Sequence, residues 1–235
     1  MGLGELFSRK QSIISSGILQ GATDCHSHIL PGVDDGLRSL EDSLEVLGWY
    51  ETAGISNLWC TPHIMEEVAN RTADLEERFA VLRDAYRGPI SLHLGAEYMM
   101  DANYGRRLAS GDIIKSIGSH VLLETYSASP FAPALELIRK TLDAGYTVVL
   151  AHPERYRYFG EKELGMLHRM GVYFQLNLPS LTGWYGEGPL RKAGLLLGNG
   201  WYSYFGSDCH RLSAVRDQFL KKCLKSKTVS ELQSL

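Results

Sequence analysis

The chain has 235 residues, of which 44% are hydrophobic and 22% are charged, and its formal net charge is −3. This length can bury one core, and the mild acidity without a large basic stripe argues against a nucleic-acid partner. No run of roughly 18 apolar residues predicts membrane insertion. Residues 1–20 lack the continuous apolar core of a signal peptide, so we expect a cytoplasmic location.

An apolar run, a cluster of polar groups and a helical pattern repeat in this order along the chain. Aromatic and β-branched residues enrich most of the apolar runs, as is typical of strands. The predicted strands are 21–28, 54–63, 90–97, 119–126, 145–152, 171–178 and 200–208. The predicted helices are 40–53, 73–86, 104–116, 133–144, 161–170 and 188–198, with a final helix over 211–235.

Two of these helices have recognisable ends. Ser39 is the predicted N-cap of helix 40–53, with Asp42 three residues later and Gly54 as its terminator. Pro133 suits the first turn of helix 133–144, and a glycine again follows its end.

Seven strands that alternate with helices predict a parallel sheet with right-handed crossovers. An open doubly wound sheet and a closed barrel both fit this order. Polar groups follow every strand, which favours the barrel, because the carboxyl ends of all its strands meet at one mouth. An open sheet instead gathers its site at one switch point. We therefore predict a distorted (β/α)7 TIM-like barrel, as a single α/β domain over 1–235 in which 1–20 form an N-terminal extension.

Histidines and carboxylates at the predicted strand ends form the main functional signal. His26 and His28 are two residues apart, so in a strand they point to the same side. The groups at later strand ends are His63, Glu97, Glu124, His152, Asp208 and His210. One strand histidine alone is more often structural, as we expect for His93, His120 and His168, but the recurrence predicts a metal centre. Imidazole with carboxylate suits Mn, Fe or Zn rather than Ca or Mg alone.

Five motifs resemble, in order, those of the PHP (polymerase and histidinol phosphatase) superfamily. They are His26-x-His28, Thr61-Pro62-His63, Gly95-Ala96-Glu97, His152-Pro153-Glu154-Arg155 and Ser207-Asp208-Cys209-His210. LPGVDDG (30–36), HPERY (152–156) and NLPSLTGWYG (177–186) look more narrowly like the bacterial manganese-dependent protein tyrosine phosphatases of the CpsB/YwqE type. The similarity covers nearly the whole chain. It implies the PHP fold and three divalent metal ions, with Mn²⁺ expected. It also implies that the substrate is phosphotyrosine of tyrosine autokinases that control capsule or exopolysaccharide export.

The resemblance also implies which residues hold each ion. The three sets are His26, His28, Glu97 and Asp208; then Glu97, Glu124 and His152; then Asp35, His63 and His210. Asp34 stays an alternative to Asp35, because the two aspartates are adjacent. Ile64 departs from the family pattern, in which a second histidine often follows Thr-Pro-His, and its apolar side chain cannot bind a product phosphate. The segment at the fourth strand end also departs, but it keeps the Glu124 carboxylate.

Clustered divalent cations lower the pKa of bound water and hold phosphoryl oxygens, and arginine adds a planar fork for such oxygens. We predict Arg155, Asp208 and His210 as catalytic residues, and Arg155, Arg211 and Arg216 as substrate-binding residues. The alternative for Arg155 is an ion pair with Glu154 or Glu161 at the rim. Five aromatic residues after the fifth and sixth predicted strands could form a platform for an aromatic ring. The alternatives are rim packing or an oligomer interface. The five are Tyr156, Tyr158, Phe159, Trp184 and Tyr185.

Other functions stay open. A cysteine-dependent phosphatase needs the spacing C-x5-R, which none of the cysteines has, and Asp208 beside Cys209 would raise the pKa of that thiol. Burial as small residues is the simpler explanation for Cys25, Cys60 and Cys209. Hydrolysis of histidinol phosphate or another small phosphomonoester would use the same ligands. A metal-dependent amidohydrolase and a non-catalytic metal-stabilised module are the remaining alternatives.

Overall fold

The computed structural model describes residues 10–235, in which nine short strands alternate with eight helices. Residues 1–9 of the predicted extension lie outside the described residues, and Gln11 forms an antiparallel bridge with Leu224. The strands are β1 (Thr23–Ser27), β2 (Asn57–Cys60), β3 (His63–Ile64), β4 (Ser91–Leu94), β5 (Glu97–Met99), β6 (Val121–Glu124), β7 (Val148–Ala151), β8 (Tyr173–Asn177) and β9 (Tyr202–Gly206). The helices are α1 (Leu40–Ala53), α2 (Thr72–Ala85), α3 (Ala102–Ser110), α4 (Phe131–Asp143), α5 (Glu161–Arg169), α6 (Glu187–Gly198), α7 (Leu212–Leu220) and α8 (Ser226–Leu232).

The strands pair in parallel, as predicted, and they form two sheets. The order is β1-β2-β4 in one sheet and β3-β5-β6-β7-β8-β9 in the other. The prediction of single strands over 54–63 and 90–97 was wrong, because each range is divided into two strands that belong to different sheets. Pro62 cannot donate a ladder hydrogen bond, and Gly95 weakens a strand interior. Beyond these breaks the Glu97 amide donates to the Pro62 carbonyl over 3.0 Å.

The first and last strands bring the two sheets together. The Asp208 amide donates to the His26 carbonyl over 2.9 Å, and the His28 amide donates to the Cys209 carbonyl over 3.0 Å. Gly206 permits this approach, because a Cβ at that position would lie 2.6 Å from Cβ of His26. The carboxyl ends of β1 and β9 are therefore neighbours.

The helix ends agree with the sequence at α1, and α2, α4, α5 and α6 also begin and end close to their predicted bounds. Ser39 and Asp42 form the predicted capping box, and Gly54 ends α1 in the left-handed conformation. Gly111, also left-handed, ends α3 at Ser110, so the prediction of a helix to 116 was wrong. The single helix predicted over 211–235 was also wrong.

The C-terminal segment forms α7 and α8 with a break between them. Lys221 is extended, with φ −67° and ψ 119°. The Cys223 and Leu224 amides donate to the Gln11 carbonyl instead of continuing a helix. Pairing with the N-terminal segment thus replaces helical hydrogen bonds here.

Successive strand residues divide between two apolar clusters. In β7, Val148 and Leu150 belong to the large core that also holds helix residues, whereas Val149 and Ala151 pack with Leu122 of β6. This alternation is the period of a strand whose two faces are both covered. In the part of the chain that the structure describes, no helix is both long and apolar enough to cross a bilayer.

Candidate metal centre

The carboxyl ends of the strands bring all nine predicted metal ligands into four overlapping groups. Within each group the ligand atoms lie within 4.8 Å of one another. The groups are His28, Asp35, His63 and His210; His26, His28 and Asp208; His26, Glu97 and His152; and His63, Glu97 and Glu124.

Glu97 belongs to two of these groups, and its two carboxylate oxygens lie close to four imidazoles. Its Oε2 lies 3.1 Å from Nε2 of His26, 3.2 Å from Nε2 of His28 and 3.2 Å from Nδ1 of His63. Its Oε1 lies 3.0 Å from Nε2 of His152. One buried carboxylate therefore faces four imidazoles, which come from β1, β3 and the residues directly after β1 and β7.

Several of these atoms are buried without a hydrogen-bond partner. They include Oε2 of Glu97, Oε1 of Glu124 and Nδ1 of His63. Nδ1 of His63 lies only 3.0 Å from that Glu124 oxygen. Buried polar atoms are normally satisfied, and convergent lone pairs from imidazole and carboxylate are what a divalent transition-metal ion binds. The residues present fit such an ion.

The charges of the cluster depend on one another. Burial raises the pKa of Glu97, but His26 and His63 outweigh it and hold this pKa well below its usual range. Burial lowers the pKa of His26, but Glu97 and Asp208 outweigh it and raise this pKa to about 9. Burial likewise opposes the charge on Asp208, and His26 and neighbouring cations still lower its pKa. The neighbouring cations therefore favour the ionised forms of Glu97 and Asp208.

The adjacent aspartates Asp34 and Asp35 have different contacts. Oδ2 of Asp34 accepts from Nδ1 of His28 over 2.8 Å and from the His63 amide over 3.0 Å, while its Oδ1 accepts from the Gly36 amide over 2.9 Å. Asp35 is exposed, and its Oδ1 lies 3.5 Å from His63 Nε2 and 3.3 Å from His210 Nε2. Asp34 therefore orients the His28 imidazole and holds the His63 backbone, and the open carboxylate is that of Asp35.

A second residue that orients a ligand is Gln175, which the sequence analysis missed. Its Oε1 lies 2.9 Å from Nδ1 of His26, which turns Nε2 of that ring toward Glu97. Such partners fix the tautomer and direction of a ligand histidine.

Asp208 divides its oxygens between the imidazole cluster and a polar group on the other side. Oδ1 lies 3.4 Å from His28 and 3.6 Å from His210. Oδ2 accepts from the side-chain amide of Asn177 over 2.7 Å, from the Arg155 guanidinium over 2.8 Å and from the Tyr185 hydroxyl over 3.4 Å. Asn177 was also missed, although the segment 177–186 that contains it was among the motifs of the resemblance.

Arg155 pairs with Asp208, so the alternative ion pair with Glu154 or Glu161 was wrong. The guanidinium carbon lies 4.6 Å from the centre of the Tyr185 ring. Glu154 is buried and accepts from the backbone amide of Asn177, the Ser180 hydroxyl and the Tyr202 hydroxyl. It holds the loop after β8 rather than the arginine.

The other predicted substrate residues lie around the mouth. Arg211 and Arg216 are exposed and line a cavity of about 770 Å³ that also contains Asp35 and His210. A neighbouring cavity of about 540 Å³ contains Arg155, Trp184, Tyr185, Asp208 and His210.

The five predicted platform aromatics separate into two groups. Tyr156 and Phe159 are fully buried in the core, whereas Tyr158 and Trp184 are exposed. Trp184 and Tyr185 are the two that face the cavity with Asp208. A platform that includes Tyr156 or Phe159 is therefore wrong.

The backbone is strained at two of the clustered residues. His152 has φ 33° and Asp208 has φ 52°, a region that residues other than glycine rarely adopt. Strained conformations of this kind concentrate at functional sites.

The cysteines near the cluster are buried, as expected. Burial raises the pKa of the Cys209 thiol to about 12, which opposes the thiolate that a cysteine-dependent phosphatase needs. His93 and His120 lie outside the cluster and stack on Trp59 and Tyr173 at 4.8 and 5.1 Å between ring centres. They are half-buried rather than core residues.

Comparisons with known proteins identify a family and several relatives of this chain. The family model described as "Capsular polysaccharide synthesis, CpsB/CapC" matches residues 22–231. The tyrosine-protein phosphatase YwqE of Bacillus subtilis (strain 168) is 29% identical over 70% of this chain and 67% of its own length. The tyrosine-protein phosphatase CpsB of Streptococcus pneumoniae is 27% identical over 66% of each chain.

Solved structures give the same relationship. Crystal structures of YwqE and CpsB, described as metal-dependent tyrosine phosphatases, include a chain with a TM-score of 0.74 and 25% identity, covering 91% of this chain and 90% of that one. Histidinol phosphate phosphatase from Lactococcus lactis, solved with zinc, L-histidinol and phosphate, has a TM-score of 0.52 at 13% identity over 91% of this chain and 94% of its own. This second likeness concerns the fold alone.

Proposed function

This chain belongs to the CpsB/CapC family of capsular polysaccharide synthesis, and we propose on that premise that it is a metal-dependent protein tyrosine phosphatase. The observation that carries the proposal is the convergence of nine imidazole and carboxylate residues, Glu97 among them, several with buried atoms that lack a hydrogen-bond partner. The relatives named as tyrosine phosphatases supply the substrate class.

We propose three divalent ions, with Mn²⁺ expected and Fe or Zn as alternatives. His26, His28, Glu97 and Asp208 would hold one ion; Glu97, Glu124 and His152 a second; and Asp35, His63 and His210 a third. When bound, such ions lower the pKa of water and neutralise phosphoryl oxygens. The contacts of Asp34 support Asp35 as the ligand of the third set, because both Asp34 oxygens already accept hydrogen bonds.

The protein's own residues would bind and orient the phosphate ester. Arg155 offers its guanidinium to the phosphoryl oxygens, and Asp208 fixes the position of that guanidinium. His210, whose Nδ1 lies 2.9 Å from the Asp208 carbonyl oxygen, is held with Nε2 toward Asp35. Arg211 and Arg216 would attract the anion at the mouth, and Trp184 and Tyr185 would contact the phenyl ring.

We also propose that the sheets close into the distorted (β/α)7 barrel expected from the sequence, with the metal centre at its carboxyl mouth. The hydrogen bonds that Asp208 and Cys209, just after β9, form with His26 and His28 support this closure. The bonds from Gly95 to Cys60 and from Glu97 to Pro62 across the strand breaks support it as well. Because β3 continues β2 and β5 continues β4, the nine strands would occupy seven positions in one ring.

The expected substrate protein is a bacterial tyrosine autokinase that controls capsule or exopolysaccharide synthesis. Its identity, the cytoplasmic location of this chain and an oligomeric state stay predictions. The alternative within the same chemistry is a small phosphomonoester such as histidinol phosphate.

One set of assays tests the proposed function. Metal-free protein should hydrolyse a phosphotyrosine peptide only after Mn²⁺ is added back, and iodoacetamide should leave the activity unchanged. Activity that survives EDTA but is lost with iodoacetamide would contradict the metal mechanism. A higher kcat/KM for histidinol phosphate than for the peptide would favour the alternative substrate.

A further inference from the structure

A further cavity adjoins the proposed phosphatase site. Its volume is about 800 Å³, and it shares Arg155 and Tyr185 with the cavity that contains Asp208 and His210. We call it the arginine cavity, because Arg157 and Arg191 also line it. A chain segment that continues from a residue bound beside Arg155 would therefore reach it within a few residues, at roughly 3.3 Å per extended residue.

The cations of this cavity differ in whether they already have partners. Arg155 pairs with Asp208, and Lys192 donates to the Phe159 carbonyl over 2.8 Å and also to that of Tyr156. Arg157 and Arg191 are exposed, and within residues 10–235 neither side chain forms an ion pair or a hydrogen bond. These two guanidinium groups are thus available to an external anion.

The acids of the cavity do not neutralise those two arginines. Glu154 is buried and accepts from a backbone amide and two hydroxyls. Glu161, in the first turn of α5, is the other acid in the lining, and it is exposed. Four cations and two carboxylates therefore line this cavity, in a chain whose net charge is −3.

The backbone presents both arginines from fixed positions. Arg191 lies within α6, and the Arg157 amide donates to the Ser127 carbonyl over 2.8 Å. A guanidinium on an ordered backbone loses less freedom when it binds a carboxylate or a phosphate, and arginine is the residue that binds both through two parallel hydrogen bonds. Leu195, which is 41% exposed, gives the same cavity an apolar contact.

We infer that the arginine cavity binds acidic side chains that flank the phosphotyrosine in the substrate protein, chiefly through Arg157 and Arg191. The inference rests on the proposed function, since it places the phosphotyrosine beside Arg155. The flanking anion is a carboxylate or a second phosphotyrosine, which share the chemistry that a guanidinium recognises.

The test compares kcat/KM for free phosphotyrosine with kcat/KM for four phosphotyrosine peptides. One has neutral flanks, two have glutamates before or after the phosphotyrosine, and one has a second phosphotyrosine in place of the glutamates. We expect the best acidic peptide to exceed the neutral one by about tenfold, with an advantage that falls as salt rises. Which acidic peptide is best distinguishes the two anions.

The double variant Arg157→Ala/Arg191→Ala should reduce this advantage to about one while kcat/KM for free phosphotyrosine stays unchanged. The matched control Arg78→Ala/Arg87→Ala removes two exposed arginines elsewhere and should keep the full advantage. No preference in the unmodified protein, or a preference that persists in the Arg157/Arg191 variant, would overturn the inference.

A binding arm separates this inference from the proposed function. A fluorescent glutamate-flanked peptide with unphosphorylated tyrosine should bind the unmodified protein more tightly than the double variant, by anisotropy, whether or not any substrate is hydrolysed. Equal binding to both proteins would refute the inference. Loss in the variant of binding to phosphatidylserine vesicles, with no change in peptide binding, would assign the arginines to a membrane surface instead. Absence of hydrolysis of free phosphotyrosine would contradict the proposed function alone.

Discussion

Asn177 donates its side-chain amide to Oδ2 of Asp208 over 2.7 Å, on the side of the carboxylate away from the histidines. This hydrogen bond therefore fixes the plane of the Asp208 carboxylate. In that plane Oδ1 faces His28, and Oδ2 holds the Arg155 guanidinium toward the mouth. Neutral amides that orient ligands in this way commonly affect a metal site nearly as strongly as the ligands do.

Asn177→Ala should lower kcat/KM for a phosphotyrosine peptide by about 10- to 100-fold, because Asp208 loses one of its orienting partners. Mn²⁺ affinity, measured by competition with a chelating dye, should fall as well. Asn199→Ala is the control, since Asn199 is an exposed asparagine at the end of α6. Equal kinetics for the two variants would show that Asn177 has no part in the site.

Glu97→Gln should abolish turnover and remove at least one metal ion per chain. The substitution keeps the shape of the side chain but removes the negative charge that faces four imidazoles, and we expect kcat to fall by about a thousandfold. Metal analysis of a chelator-free preparation gives the ion-to-chain ratio. The exposed Glu77→Gln variant should keep the full ratio and activity. An unchanged ratio in the Glu97 variant would remove this residue from the centre.

Arg155→Lys should weaken phosphate binding more than it affects folding. Lysine keeps the charge but loses the planar fork, so we expect about a tenfold lower kcat/KM and weaker inhibition by inorganic phosphate. The exposed Arg139→Lys substitution is the matched control. If both variants are inhibited equally by phosphate, the role proposed for Arg155 is wrong.

Tyr202→Phe should destabilise the protein through Glu154. The Tyr202 hydroxyl donates to Oε2 of this buried carboxylate over 2.9 Å, and its loss leaves that oxygen without a donor. The cost is about 1–3 kcal/mol, which corresponds to a drop in Tm of about 5 °C. Tyr173→Phe, at a partly exposed position of β8, should leave Tm within about 1 °C. The two Tm values should be measured by circular dichroism.

The clustering of these side chains could be predicted from the sequence, because its signal is local and periodic. His26 and His28 are two residues apart at the end of a predicted strand, and the later groups follow apolar runs that the sequence makes visible. The turn before Gly36 determines that Asp34, rather than Asp35, accepts from the His28 ring and the His63 amide. A Cβ on that glycine would lie 2.1 Å from the His28 carbonyl oxygen, and no periodicity indicates such a close approach.

The roles of Gln175 and Asn177 could not be predicted, because they depend on pairings between strands far apart in the chain. Gln175 reaches His26 from β8, and Asn177 reaches Asp208 across to the segment after β9. The strand breaks at Pro62 and Gly95 were missed for the same reason. A single apolar run does not show which sheet each half joins.

The hydrogen bonds that Asp208 and Cys209 form with His26 and His28 also bear on when the centre can form during synthesis. His26 emerges from the ribosome long before Asp208 and His210 are added. Contacts of such long sequence separation close slowly, and a nascent chain or a truncated fragment holds the histidines without their last carboxylate. We therefore expect the proposed metal centre to form only after the segment that follows β9 has packed against β1.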